Sequence, residues 1–337
     1  MKVLGLDVGG ANIKASLVEH GQGKVKVIRQ LSIPWELYRN PGGLLGQLEF
    51  IRKDTSAEAV ALTMTGELCD VFKTRAEGAR WILRQVAKAF RGVETLIVDV
   101  NGDLVTMAKA RRSPMSIASA NWAATLRWVA QNGFENGLVI DIGSTTTDIL
   151  PVKNGKPAAS GYDDHSRAME GELVYTGYLR TNVANVLPWI KVGDKMLRAC
   201  PEYFSIMGDA HLLLGNISRK DYTCPAPDGG PVTPAGAARR LLRVALLDQG
   251  EEGMETAKNI ARQAVGAQEA ALAEAVRKII LRERLAKTSR VLIIGRGRKI
   301  IGNVIVNKSR FELISSLGGM PDIEINPSIC AALLYNM

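Results

Sequence analysis

Two short stretches carry the residue types that can hold a phosphate and a divalent cation. In Leu4-Gly5-Leu6-Asp7-Val8-Gly9-Gly10-Ala11-Asn12-Ile13-Lys14 an apolar run ends in Asp-x-Gly and then turns through small residues. Leu138-Val139-Ile140-Asp141-Ile142-Gly143-Ser144-Thr145-Thr146-Thr147-Asp148 does the same, so Asp7 falls on Asp141, Gly9 on Gly143, Asn12 on Thr146 and Lys14 on Asp148. A glycine after a strand lets backbone N–H groups approach an anion closely. Gly9, Gly10, Gly143, Ser144, Thr145 and Thr146 are therefore candidate phosphate contacts, with Asn12 and Lys14 on the following strand able to reach phosphate oxygens. Carboxylates at strand ends suit Mg²⁺, which makes Asp7, Asp141 and Asp148 the candidate metal or catalytic groups. A lone Asp-x-Gly is as well explained by turn capping. The duplicated form is the stronger signal.

Other residues invite chemistry with a plain alternative beside each. Glu67, after a short apolar strand, is a base, a contact for a substrate amine, or a carboxylate opening a helix; Glu172 in Gly171-Glu172-Leu173 is read the same way. Arg167 and Arg180 either hold substrate carboxylate or phosphate by bidentate contacts or make surface ion pairs. Tyr175 stacks on an aromatic substrate or packs. Asn121 and Trp122 line a pocket or, for the Trp, belong to the core.

These residues need a scaffold of alternating strands and helices. After each hairpin comes a turn, Gly21-Gln22-Gly23 or Asn154-Gly155, and a third strand, Lys24 to Ile33 or Lys156 to Gly161. Ala59 to Leu62, Thr95 to Val100, Val291 to Ile294 and Phe311 to Leu317 read as further strands, the last before a Gly318-Gly319 break. Helical periodicity covers Thr74 to Phe90, Ser116 to Asn132, Pro234 to Asp248 with Thr233 as N-cap, and Met254 to Lys287, with a last helix after Pro327. The Ala-rich stripe of the longest helix is suited to packing on a sheet. Tandem duplication predicts two lobes of like topology: residues 1–132, completed by the C-terminal helix 327–337, and 133–326 with helical insertions.

Composition narrows the class. The 337 residues are 46% hydrophobic, enough for a core, and no apolar run is long enough for a membrane span. The N-terminus does not read as a signal peptide, so the cytoplasm is the expected compartment. The four cysteines are scattered, and free thiols are expected. Net charge is +9, yet the positives are dispersed and aromatics make up only 5%, which argues against nucleic acid and for an anionic small substrate.

The two hairpins, with Ile293-Ile294-Gly295-Arg296-Gly297, resemble the phosphate and adenosine elements of the acetate-and-sugar-kinase/Hsp70/actin superfamily. More narrowly, the chain resembles the hydantoinase A/oxoprolinase group. Met64-Thr65-Gly66-Glu67-Leu68, Ser119-Ala120-Asn121-Trp122, the run Asp141 to Asp148, and Gly171-Glu172-Leu173-Val174-Tyr175-Thr176-Gly177 followed by Arg180-Thr181 are similar to a branch that builds methanofuran-type cofactors. The pattern departs at Asp163-Asp164, before Arg167, and at Asn182. The resemblance implies an α/β fold of two RNase H-like lobes around a central cleft, with Gly295 and Gly297 among the cofactor contacts. It also implies a condensation in which a phenol displaces diphosphate from a furan-methyl carbon. Mg²⁺ is the expected ion; ATP use is left open. The partners implied are small molecules carrying a diphosphate and a phenol, and a homodimer is compatible. An ATP-dependent kinase or hydrolase and a non-catalytic nucleotide sensor are the competing readings.

Overall fold

The computed structural model describes residues 1–21, 24–248, 250, 253–286, 289–298, 312–314 and 325–335. The expected turn at Gln22-Gly23 and the Gly318-Gly319 break lie outside these, as do Lys287, Phe311, residues 315–317 and the last two positions of the terminal helix.

The chain divides into two compact units. The first comprises Met1–Glu135 and Val152–Ser166 with the C-terminal helix; the second comprises Asn136–Pro151 and the described residues from Arg167 to Ser316. The stretch 152–166, read from sequence as part of the second lobe, thus clusters with the first. Its turn is tied there by the Gly155 N–H, which donates to Glu135 O at 2.9 Å.

The first unit is built on a six-stranded sheet. Its strands are β1 (Lys2–Val8), β2 (Asn12–Gly21), β3 (Lys24–Pro34), β4 (Ala59–Met64), β5 (Glu94–Val98) and β6 (Leu104–Thr106), in the order β3-β2-β1-β4-β5-β6. β1 and β2 form an antiparallel hairpin, and β4 and β5 run parallel to β1. β1 and β4 are covered on both faces, which is why they read as continuous apolar runs and not as alternating ones. On one face Leu4, Leu6, Val8, Val60 and Leu62 pack with Leu48 and Ile51 of the helix Leu44–Thr55 and Ile82 and Val86 of the helix Arg75–Ala89. On the other face the helix Pro327–Leu334 lies so close that a Cβ on Gly5 would fall 1.7 Å from Ser328 O. Ser16 and Ser328 hydroxyls meet there at 2.7 Å.

The second unit repeats the core of that plan. β7 (Gly137–Ile142) and β8 (Thr147–Lys153) form the hairpin. β9 (Lys156–Pro157) pairs with Val152 and Lys153 inside the stretch that clusters with the first unit, while β10 (Leu173–Val174) pairs beside Asp148 and Thr147. β11 (Trp189–Val192) and β12 (Lys195–Arg198) form a separate ribbon. β13 (Arg290–Ile294) and β14 (Glu312–Ile314) complete the order β10-β8-β7-β13-β14, with β13 parallel to β7 and to β14. Hairpin, then two parallel strands, is common to both units. The expected third strand from Lys156 to Gly161 is corrected: only Lys156 and Pro157 pair, and the Gly171–Gly177 motif supplies the strand beside the hairpin.

Three helices stop short of their periodic pattern for one reason. Ser119, Leu246 and Arg284 adopt left-handed φ values of 51°, 58° and 52°, which a right-handed helix cannot contain. The helix expected from Ser116 is therefore Asn121–Gln131, that from Pro234 ends at Val244, and the longest is Gly253–Glu283. The expected cap holds at Thr233, whose side chain accepts from Gly236 N at 3.2 Å; Thr74, read as helical, is instead the cap of its helix, accepting from Glu77 N at 3.1 Å. The Ala-rich stripe divides its work. Ala257, Ile260 and Ala264 pack with the helices Met207–Leu213 and Pro234–Val244, while Leu272, Val276 and Ile279 pack on Leu138, Ile140 and Ile149 of the sheet. Among the described residues no helix is long and apolar enough to cross a membrane, and none of the four cysteines is in a disulfide.

Candidate functional site

The two hairpins close in the same way. Gly9 N–H donates to Asn12 O at 3.0 Å, and Gly143 N–H donates to Thr146 O at 2.9 Å. In the first, strand register sets Asp7 opposite Lys14, with Nζ 3.6 Å from Oδ2, while Thr63 Oγ1 lies 3.4 Å from Oδ1. Asp7 is buried, and Lys14 is more than a third exposed. A Cβ on Gly10 would lie 2.9 Å from Cys69 Sγ, so this turn packs closely on the segment after β4.

In the second unit, the carbonyls of the hairpin are taken up by the chain that follows β10. Tyr178 N–H donates to Gly143 O at 3.1 Å; Leu179 and Arg180 N–H groups donate to Ser144 O at 3.2 and 2.8 Å. A Cβ on Gly177 would lie 2.5 Å from Gly143 O, Ser144 C and Thr145 N. The Gly171–Gly177 motif thus ends in a strap against the turn. Ser144, Thr145 and Thr146 remain half-buried and accessible. Arg180 is anchored beside them by its own backbone, its Nε is buried without a hydrogen-bond partner, and no carboxylate among the described residues comes within ion-pair distance of it. A guanidinium left uncompensated next to a glycine-serine-threonine turn is suited to an anion.

Asp141 and the distant glycines are also brought together. β13 places Ile294 beside Asp141, and Gly297 N–H donates to Ile142 O at 3.0 Å. A Cβ on Gly295, whose φ is +81°, would lie 2.3 Å from Asp141 Oδ1; one on Gly297 would lie 2.2 Å from Ile142 Cγ2. Close packing on the end of β7 accounts for both glycines, whether or not a nucleotide binds.

Asp148, Arg167 and Glu172 form a structural network. Arg167, almost fully buried, donates to Asp148 Oδ1 at 2.6 Å and to Glu172 O at 3.2 Å. Glu172 has no exposed surface, and its Oε1 is held by Arg282. A fully buried carboxylate held by a guanidinium is placed to fix β10, which is the structural reading of Glu172. Asp148 likewise has a guanidinium as its near neighbour. Among the described residues no three His, Cys, Asp or Glu side chains gather into a metal cage.

Glu67 lies in the segment seated against the first hairpin, where a Cβ on Gly66 would lie 3.1 Å from Val8 O and 3.3 Å from Gly9 O. It sits in the 3-10 turn Gly66–Leu68 after β4 and is 1% exposed. The helix Arg75–Ala89 presses Gly78 onto its backbone, where a Cβ would lie 2.8 Å from Glu67 Cα. Burial pushes the Glu67 carboxyl above the usual range, against the opposing pull of Ser119 and Arg75. Oε1 is 2.7 Å from Ser119 Oγ, and Oε2 is buried with no hydrogen-bond partner.

Of the remaining candidates, Asn121 opens its helix half-buried, and Trp122 is core, lining a pocket of about 290 Å³ with Val100, Leu126, Lys156 and Tyr162. Tyr175 is 70% exposed, so it does not pack within its unit. Sequence reading missed two groups. Asp164 touches Ser119 at 3.0 Å, and Gln268 holds the strap through Thr176 Oγ1 at 2.7 Å and Gly177 O at 2.9 Å. Asp164 had a signal, the departure at Asp163-Asp164; Gln268 is an isolated polar residue on a helical stripe and had none.

A profile of the hydantoinase/oxoprolinase family matches residues 58–304. The chain belongs to the hydantoinase/oxoprolinase family. Within and around that family, it is 35% identical over 247 residues to a protein of Methanocaldococcus jannaschii, covering 73% of this chain and 72% of that one. It is 33% identical over 191 residues to one of Methanococcus vannielii, covering 56% and 84%. Both are named (4-{4-[2-(gamma-L-glutamylamino)ethyl]phenoxymethyl}furan-2-yl)methanamine synthase. Among solved structures, the nucleotide-free acetone carboxylase matches with a TM-score of 0.58 at 12% identity, over 98% of this chain and 70% of that one. The ATP-dependent caprolactamase of Pseudomonas jessenii matches with 0.50 at 10%, with the same coverage. These likenesses establish the fold, the duplicated sugar-kinase/Hsp70/actin type, and nothing about ligands.

Proposed function

We propose that this protein is a synthase of methanofuran-type cofactor assembly. It joins the phenol oxygen of γ-glutamyl-tyramine to the furan-methyl carbon of an aminomethyl-furan-methyl diphosphate. A carbon–oxygen bond forms to the phenol, the bond to the diphosphate breaks with its electron pair on the leaving group, and the phenol proton passes to the protein. The observation that carries this reading is the 35% identity to the M. jannaschii synthase over most of both chains.

Each unit's own residues support a part of this chemistry. Ser144, Thr145, Thr146 and Arg180 offer hydroxyl and guanidinium donors for the diphosphate, where negative charge grows as the bond breaks. In the first unit, Glu67 is the group proposed to receive the phenol proton, since burial raises its pKa above an exposed carboxyl's and its Oε2 has no hydrogen-bond partner. Mg²⁺ commonly keeps most of its water shell and binds through one or two carboxylates together with phosphate oxygens. Asp141, at the end of β7 before the Gly143 turn, is the carboxylate that would hold that ion beside the Ser144–Thr146 hydroxyls, and the ion would offset charge on the leaving group.

Mass spectrometry of purified protein with Mg²⁺ and both substrates, with and without ATP, tests the reaction. Ether and diphosphate released in equal amounts without ATP is the expected result. No ether in either condition, with ATP turnover instead, would replace this reading by the ATP-dependent one.

A further inference from the structure

Three oxygens stand in a row beyond the end of β4. Ser119 Oγ lies 2.7 Å from Glu67 Oε1 and 3.0 Å from Asp164 Oδ2, and Arg75 NH2 donates to the same hydroxyl at 3.1 Å. Two oxygen–oxygen contacts of hydrogen-bond length need two hydrogens. The serine hydroxyl brings one. The other must sit on a carboxyl, because with both carboxylates ionised one contact would set lone pair against lone pair. Glu67 is the holder by burial: it is 1% exposed, whereas the Asp164 side chain is 23% exposed and has the Arg75 guanidinium at 3.6 Å. Ser119 then accepts from Glu67 and Arg75 and donates to Asp164, which satisfies its full capacity.

Two further facts point outward from this row. Glu67 Oε2, the oxygen not facing Ser119, is buried and has no partner, so a ligand hydroxyl would complete it. Ser119 is held at a φ of 51°, a left-handed conformation that a serine adopts at a cost and that sets its hydroxyl between the two carboxyls. The charged and titratable groups facing Glu67 are Arg75 from the following helix, Asp164, and Cys69 just beyond its own turn; Asp70 acts on Cys69.

We infer that Glu67, Ser119 and Asp164 form one proton relay, in which Glu67 is the catalytic residue and Ser119 and Asp164 position and discharge it. The inference rests on the synthase reading. As the ether bond forms, the phenol proton moves to Glu67 Oε2, the proton on Oε1 moves to Ser119 Oγ, and the serine proton moves to Asp164. Glu67 ends neutral, as it began; Asp164 ends protonated and, being partly exposed, returns its proton to water. The net base is therefore Asp164, acting through two intervening groups.

Infrared spectroscopy at neutral pH tests the shared proton without any substrate. The wild type should show a protonated-carboxyl band that disappears in E67Q; no such band in the wild type overturns the relay whatever the protein catalyses. Kinetics test its use. S119A, S119G and D164N should each lower kcat for the natural phenol by ~100-fold or more, with KM little changed. A ring-fluorinated phenol, which gives up its proton more readily, should recover much of that loss, and the acidic limb of the pH–rate profile should disappear in D164N. S119A removes only the hydroxyl, and S119G, which removes the side chain but relieves the left-handed strain, is the decisive variant because it takes away the relay without adding strain. A loss that is the same for both phenols, or wild-type rate in S119G, overturns the relay. A wild type that makes no ether from either phenol removes the synthase reading and the relay's task with it, while the band still decides the proton sharing.

Discussion

His211 Nε2 lies 3.0 Å from Gln268 Oε1, and the amide nitrogen of the same Gln268 holds the strap at Thr176 and Gly177. That amide is spent as a donor, so its oxygen must accept and His211 carries its proton on Nε2; Nδ1 accepts from Asn216 at 3.1 Å. Burial holds the ring neutral, with its pKa lowered to about 4. An unfolded histidine titrates near 6.5, so between pH 6.5 and 4 the unfolded chain binds the extra proton and the folded one does not. Stability contributed by neutral His211 is present above about 6.5 and falls as pH drops to about 4, by roughly 3 kcal/mol. Urea unfolding across this range should show that loss in the wild type and a flatter curve in H211Q. Equal pH dependence in the two proteins would show that the ring is not held neutral.

A second prediction concerns the strap itself. Alanine at Gly177 would place Cβ 2.5 Å from three backbone atoms of the Gly143–Thr145 turn, and backbone cannot swing aside as a side chain can. G177A should cost about 1–3 kcal/mol of stability. At protein concentrations and temperatures where it remains folded, its affinity for inorganic diphosphate, read by calorimetry, should fall at least several-fold. Gly46 is the control. It lies in the helix Leu44–Thr55 with open space where a Cβ would go, so G46A should stabilise by about 0.5–1 kcal/mol and leave diphosphate binding unchanged.

The Glu172–Arg282 pair separates a structural carboxylate from a chemical one. Removing one partner of a buried ion pair leaves the other charge uncompensated, at about 3–5 kcal/mol. R282M should therefore be as damaging as E172Q or more so, although Arg282 is in no sequence motif quoted for the site. Activity should track the folded fraction in both variants when thermal unfolding and turnover are measured side by side. A fully folded E172Q with no turnover would restore a catalytic role to Glu172.

Much of the scaffold was legible because strands and turns write themselves locally. The apolar runs ending at Asp7 and Asp141, the glycine turns after them, and the Thr233 cap depend on neighbours within a few residues. The helix ends were not legible. Ser119, Leu246 and Arg284 turn left-handed without being glycine, and only tertiary packing makes such a residue take that conformation. The site was half legible for the same reason. Glu67 is visible as a carboxylate after a strand, but its burial and its link to Ser119 and Asp164, 52 and 97 positions away, are properties of the folded unit. Conversely Asp148, Arg167 and Glu172 look reactive in sequence because they are charged residues in dense motifs. The structure spends their charge on one another and on Arg282.

Arg180 gives the sharpest test of where the diphosphate goes. Its backbone N–H is fixed to Ser144 O at 2.8 Å, and its guanidinium has no acidic partner among the described residues, so losing the charge removes no ion pair that the fold depends on. R180Q should fold with near-wild-type stability. In the wild type, inorganic diphosphate should raise the melting temperature in the presence of Mg²⁺; in R180Q the shift should shrink or vanish, because a charge-assisted contact of about 1.5–3 kcal/mol is lost. R180K keeps the charge but not the planar fork, and should recover only part of the shift. For the coupling reaction, R180Q should lower kcat/KM for the diphosphate substrate by about 10–100-fold while leaving the KM for the phenol unchanged. An equal rise in both KM values would place Arg180 at the substrate carboxylate or in the general architecture of the site, and a wild-type shift in R180Q would move the diphosphate away from this hairpin altogether.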